Sequence, residues 1–135
     1  MGMFGAIEAA SSGATVSRFW IDAIADNVAN LNTIRPAGEE PFRSRLVIAR
    51  TVTDADGQGR GVQVAGIALK GGDPVQVWDP SHPYADANGM VTRPNVDMTE
   101  EMTNLLLAQR TYQINLAVID RARDAYMAAL QIGRR

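Results

Sequence analysis

DMTEEMTNLLLAQRTYQINLAVIDRARDAYMAALQI, residues 97–132, is the stretch whose reading decides the fold. Asp97 stands three residues before Glu100, the spacing of a helix-capping box, with Asp97 as the cap acceptor. Acidic residues follow in the first turn, and Gly133 then Arg134-Arg135 stand past the end, as the helix dipole and a C-terminal cap favour. A main apolar seam runs Met98, Met102, Leu105, Gln109, Tyr112, Leu116, Ile119, Arg123, Tyr126, Leu130, broken only by Gln109 and Arg123. A second stripe runs Leu107, Thr111, Ile114, Val118, Ala122, Ala125, Ala129, Ile132. It is displaced by two residues, about 200° around a helix, so the two stripes lie on nearly opposite faces. One face suits a partner helix within the chain. The other needs a further surface, either the chain's own central segment or another chain. A helix of this length reaches roughly 50 Å, long for a globule of 135 residues.

The opposite end of the chain supplies the matching helix. Ile7, Ala10, Ala14, Ser17, Ile21, Ile24, Val28 and Leu31 alternate in steps of three and four, the rhythm of a packed seam. Ser11-Ser12-Gly13 interrupts with poor helix formers, so this helix is expected to depend on a partner. Asn30-Leu31-Asn32-Thr33 before Pro36 is its stop.

Between them the pattern changes. Phe42, Ser44, Leu46 and Ile48 share one face of a strand. Val62 with Val64, Ile67 with Leu69, and Val75 with Val77 form further short alternating runs between glycine-rich breaks. Asp54-Ala55-Asp56-Gly57-Gln58-Gly59 and Asn88-Gly89 are turn signals. The expected fold is α+β: long N- and C-terminal helices in a coiled-coil bundle around a small central β-rich insertion. The divisions fall at 1–33, 34–95 and 96–135.

Composition narrows the function. Apolar residues make up 46% of the chain and charged residues 21%, with a net charge of -2. That argues against a general binder of nucleic acid or anionic membrane. With no cysteine and one histidine, neither disulfides nor a thiolate or histidine metal site are expected. No apolar run approaches the roughly 18 residues of a membrane span. The opening Met1-Gly2-Met3-Phe4-Gly5 lacks a basic region followed by an apolar stretch, so no cleaved secretion signal is expected.

Asp79, Ser81 and His82 are the only grouping with acid–base character, and proline-stiffened turn geometry accounts for them without an orienting third group. Asp54, Asp56 and Gly57 miss the calcium-loop pattern, since position 65 is Ala. Gly57, Gly59 and Gly61 lack the strand-to-helix context of a dinucleotide loop. No catalytic, metal or cofactor site is expected. Asn27, Asn30 and Asn32 carry two readings: amides bonding across subunit boundaries, or local capping of the helix end.

These residues carry a resemblance. Ile24-Ala25-Asp26-Asn27-Val28-Ala29-Asn30-Leu31-Asn32-Thr33 is similar to the NNIANxNT signature of the rod and hook proteins of the bacterial flagellum. The stretch from Val77-Trp78-Asp79-Pro80 through His82-Pro83 and Ala85-Asp86 to Gly89-Met90-Val91, with Pro94-Asn95-Val96 after it, resembles the proximal-rod members of that family. Asp26, Trp78, Ser81 and Met90 depart from the commoner residues, as does Ile34-Arg35-Pro36 after the first motif.

The resemblance implies a subunit of the basal-body rod in the periplasmic space. It implies export through the flagellar type III apparatus, helical assembly around the export channel and transmission of torque. Implied partners are other copies, other rod proteins and adjoining ring components. Expected contact residues on the first helix are Ile7, Ala14, Ile21, Ile24, Asn27, Val28, Asn30, Leu31 and Asn32. On the second they are Met102, Leu105, Leu107, Tyr112, Ile114, Leu116, Val118, Ile119, Tyr126, Leu130 and Ile132. A non-polymerising binding module built on an intramolecular helical hairpin is the alternative.

Overall fold

A computed structural model describes residues 2–133. The order is α1 (Met3–Ala29), β1 (Arg45–Thr53), β2 (Gly59–Leu69), β3 (Val75–Trp78), β4 (Met90–Arg93) and α2 (Met98–Ile132). The expected α+β architecture holds. Arg134 and Arg135, read as dipole partners of α2, lie outside the described residues.

α2 begins where its cap dictates. The Asp97 carboxylate accepts from the backbone N–H groups of Thr99 at 2.7 Å and Glu100 at 3.3 Å. Glu100 does not complete the capping box; its carboxylate pairs instead with Lys70, at the end of β2. Gly133 caps the other end in a right-handed conformation, its N–H bonded to the Ala129 carbonyl at 3.1 Å. α1 runs unbroken through Ser11-Ser12-Gly13.

The two helices lie antiparallel. Phe4 meets Tyr126 edge-on at 5.6 Å between ring centroids, while Asn27 reaches Glu101 at the other end. The seam joining them differs from the one expected on α2. Its inward side is Glu101, Leu105, Ala108, Tyr112, Asn115, Ile119 and Ala122. Leu105, Tyr112 and Ile119 belong to the expected seam; Met102 and Leu116 do not enter it and stay exposed. The reason is close approach. α1 presents Ala10, Gly13, Ala14 and Ser17, and a Cβ on Gly13 would sit 2.8 Å from the Asn115 side chain. Backbones this near accept Ala108, which is 0% exposed, and push bulky side chains to the flanks.

The interruption in α1 is the place where the other elements dock. The Ser12 hydroxyl donates to the Ala9 carbonyl at 2.7 Å and accepts the Val62 N–H at 3.0 Å. Gly61, at φ +137°, lets β2 pass over Ser12, where a Cβ would collide with its hydroxyl. A serine and a glycine that weaken the helix alone are what allow the hairpin on one side and α2 on the other.

β1 and β2 form one antiparallel pair, β3 and β4 another. In the first, Val47 faces Ile67 and Ala49 faces Val64, leaving Ala65 as an extra residue in β2. That bulge puts Val62, Val64, Ile67 and Leu69 on one face despite their change of parity in sequence. A second bulge at Arg60 coincides with an ion pair to Glu8 of α1 at 2.8 Å. Phe42 and Ser44, expected within the first strand, precede it; Ser44 is buried, whereas Leu46 and Ile48 remain exposed. β4 had no alternation by which to be expected. It pairs with β3 from Val75↔Arg93 to Trp78↔Met90.

The buried apolar core of the described residues is thin: Ala10, Ala14, Ala23, Ile24, Val91 and Ala108, with Ser17, Asn27, Ser44 and Glu101 buried beside them. Most of the chain's large apolar side chains are therefore elsewhere.

Candidate subunit-contact surface

Those side chains are on the outside, concentrated on α2. Leu107, Ile114, Val118 and Ile132 of the second stripe are exposed, Ile114 at 57% and Ile132 at 77%. Only Ala122 of that stripe turns inward. No strand packs against α2 among the described residues, so the central segment does not cover this face. Met102, Leu116, Tyr126 and Leu130 of the main seam are exposed as well. Around the helix, exposed apolar area thus spreads over both flanks of the buried seam. Soluble monomers rarely leave so much contiguous apolar surface open.

The expected contact residues on α1 fare differently. Ala14, Ile24 and Asn27 are buried inside the chain and have almost no surface left for a neighbour. Ile7, Ile21, Val28, Leu31 and Asn30 are half-buried, and Asn32 is exposed. On α2, Leu105, Tyr112 and Ile119 are half-buried in the intramolecular seam.

The three asparagines separate by geometry. Asn30 caps α1 locally: its Nδ2 donates to the Asp26 carbonyl at 2.9 Å, and Thr33 donates to its Oδ1 at 3.2 Å. Asn32 accepts from Arg93 of β4 at 2.8 Å. Asn27 does neither. It ties α1 to the start of β1 and to Glu101 of α2. An internal tie of this kind was legible in neither sequence reading of Asn27.

Further contact candidates escape the heptad pattern. Leu106 of α2 is 67% exposed, and Phe19 of α1 lies off the seam in an open position. Phe19 borders a groove of about 360 Å³ between the helices, shared with Arg18, Asp22, Tyr112, Leu116 and Ile119. Leu46 with Ile48, and Ile67 with Leu69, leave both faces of one end of the hairpin exposed. Trp78 stands largely exposed at the β3 end. An aromatic outside the periodic seam is the one signal that sequence gave for Phe19.

The acid–base candidates resolve into turn chemistry. Ser81 donates to Asp79 at 2.8 Å, and His82 Nδ1 accepts the Tyr84 N–H at 3.1 Å, so the imidazole is not aimed at the serine. Asp54 accepts the N–H groups of Asp56 and Gln58, closing the tip of the β1–β2 hairpin. Among the described residues no cluster of three potential metal ligands occurs.

Comparison with known proteins gives concordant matches. The family described as "Flagellar basal body rod FlgEFG protein C-terminal" matches residues 87–132, which take in β4 and α2. The flagellar basal-body rod protein FlgC of Borreliella burgdorferi is 35% identical, covering 98% of both chains. The FlgC proteins of Salmonella typhimurium and Bacillus subtilis are 31% and 30% identical, each covering 99% of this chain and all of their own length.

Proposed function

The chain belongs to the FlgC family of flagellar basal-body rod proteins, and on that premise we propose how it serves as a structural subunit of the rod. Its place is the basal-body rod, in association with other rod components. We infer a periplasmic setting, helical assembly around the export channel, delivery through the flagellar type III export apparatus, and transmission of torque. Neighbours are further copies, other rod proteins and the adjoining ring. The α1–α2 pair forms the coiled-coil layer, as segments 1–33 and 96–135, and segment 34–95 makes lateral contacts. The subunit acts without catalysis, cofactor or metal.

The observation that carries this reading is the outer face of α2. Leu107, Ile114 and Val118 stand in line, exposed, and among the described residues no strand packs against α2. The half-buried residues Ile7, Ile21, Val28, Leu31 and Asn30, with exposed Asn32, contribute from the rim of α1. Met102, Leu116, Tyr126, Leu130 and Ile132 extend the surface along α2. Leu105, Tyr112 and Ile119 support it from beneath. A non-polymerising module would share the intramolecular helix pair but has no use for the exposed stripe.

Ile114→Asp separates the two. The substituted chain folds as a monomer with unchanged helical content, since Ile114 is 57% exposed and lies outside the buried seam. In cells lacking the wild-type copy it fails to build a rod and motility is lost. Full motility with Ile114→Asp overturns the assignment of this face to subunit contact.

A further inference from the structure

One buried node holds three elements together. Asn27 of α1 is 1% exposed. Its Nδ2 donates to the Arg45 carbonyl at 3.1 Å and to Glu101 Oε1 at 3.0 Å, and its Oδ1 accepts the Arg45 N–H at 2.7 Å. One amide therefore links α1, the first residue of β1 and the first turns of α2.

Glu101 is the unusual member. It is 4% exposed, and the Asn27 amide is the hydrogen-bond donor its side chain has. The nearby cations are engaged with other carboxylates. Lys70, after β2, pairs with Glu100, and Arg45 of β1 pairs with Asp26 of α1 at 2.9 Å. On α2 itself, Glu100 adds a like charge and Asp97 is held at the cap. A carboxylate buried beside a neutral amide loses hydration that a cation already paired with another carboxylate replaces only in part. Burial accordingly pushes the Glu101 carboxyl above its ordinary range, and Glu100 adds to this; the Asn27 hydrogen bond and Lys70 pull the other way without cancelling it.

We propose that Asn27, Glu101 and the Arg45 backbone form a proton-operated clasp: the Asn27 bond itself favours the carboxylate, but the cost of burying that charge outweighs it, so the closed node is more stable when Glu101 is protonated. An acid that binds its proton more strongly folded than unfolded stabilises the fold fully below its unfolded pKa. That contribution is lost as pH rises through the raised folded value. The clasp therefore weakens from mildly acidic to neutral pH, the reverse of a junction held by a salt-bridged carboxylate. Where it opens, the first residue of β1 and the start of α2 loosen from α1 together, because both are bonded to the same amide, while Ser12 and Glu8 still hold β2.

Glu101→Gln tests this in the full chain, since it keeps the acceptor oxygen for Asn27 and removes the charge. Melting temperatures of both proteins are compared from about pH 5 to about pH 8, as linkage requires. The glutamine variant is expected to melt higher at the upper end by about 3–6 °C, with the gap closing toward the lower end. Hydrogen exchange at the Arg45 amide, compared between the two proteins at each pH, is expected to be faster in wild type only at the upper end. NMR titration of the Glu101 carboxyl in wild type is expected to give a midpoint above the ordinary glutamate value. A gap that does not change with pH, wild type melting higher at neutral pH, a midpoint at or below the ordinary value, or equal Arg45 exchange throughout overturns the proposal.

Discussion

The inward side and the flanks of α2 divide the helix's apolar residues between them. The inward side is mixed: small or polar Glu101, Ala108, Asn115 and Ala122 alternate with half-buried Leu105, Tyr112 and Ile119 where the helix meets Gly13, Ala14 and Ser17 of α1. The flanks carry Leu107, Ile114, Leu116, Val118 and Leu130, which face solvent. Hydrophobic burial scales with apolar area removed from water, so the helix pair draws its gain from Leu105, Tyr112 and Ile119 and depends on the close fit at Ala108 and Asn115. The larger hydrophobic gain is left to whatever covers the outside. Within the monomer, close fit sets the helix seam, and much of the apolar area of α2 stays exposed.

The sharpest way to break that division is at the buried node. Asn27→Ala strands the Arg45 N–H and carbonyl and leaves Glu101 without its donor, so a loss of about 3 kcal/mol is expected in denaturant unfolding of the monomer. Next comes the contact that depends on fit. Ala108→Leu adds area where α1 allows none and is expected to cost about 1–3 kcal/mol in the same measurement. If it stabilises instead, the close approach at Gly13 is not what sets the seam. Smallest for the monomer is the outside: Val118→Ser is expected to change monomer stability by less than about 0.5 kcal/mol, while weakening concentration-dependent association seen by sedimentation. Equal losses from Val118→Ser and Ala108→Leu in monomer unfolding would erase the distinction between the two sides.

This division also explains what could be read from sequence. Both helices were legible, because steps of three and four from Ile7 to Leu31 and the cap at Asp97 are local signals. The two-faced character of α2 was legible too, since it is a count of spacings. Which stripe docks was not. Ala108 and Asn115 carry no hydrophobic signal, and their burial follows from Gly13 lying opposite, a relation between residues about a hundred positions apart along the chain. The hairpin shows the same limit. Val62 with Val64 and Ile67 with Leu69 disagree in parity, and only the extra residue Ala65 puts them on one face. Glu101 read as an acid suited to a helix N-terminus; nothing local marked it as buried.

Asn27 and Glu101, which meet through one hydrogen bond, stand 74 residues apart in the chain. Joining such distant points carries a loop-closure cost and makes non-local folding slow. It also fixes an order of events. A chain that emerges from its N-terminus presents α1 first, and α1 must wait for most of the polypeptide before its partner exists. Until then the seam of small residues has nothing to fit against, and only local helix propensity, weakened by Ser11, Ser12 and Gly13, holds α1 in shape. The topology by itself thus acts as a timer that postpones closure until the last quarter of the chain has arrived.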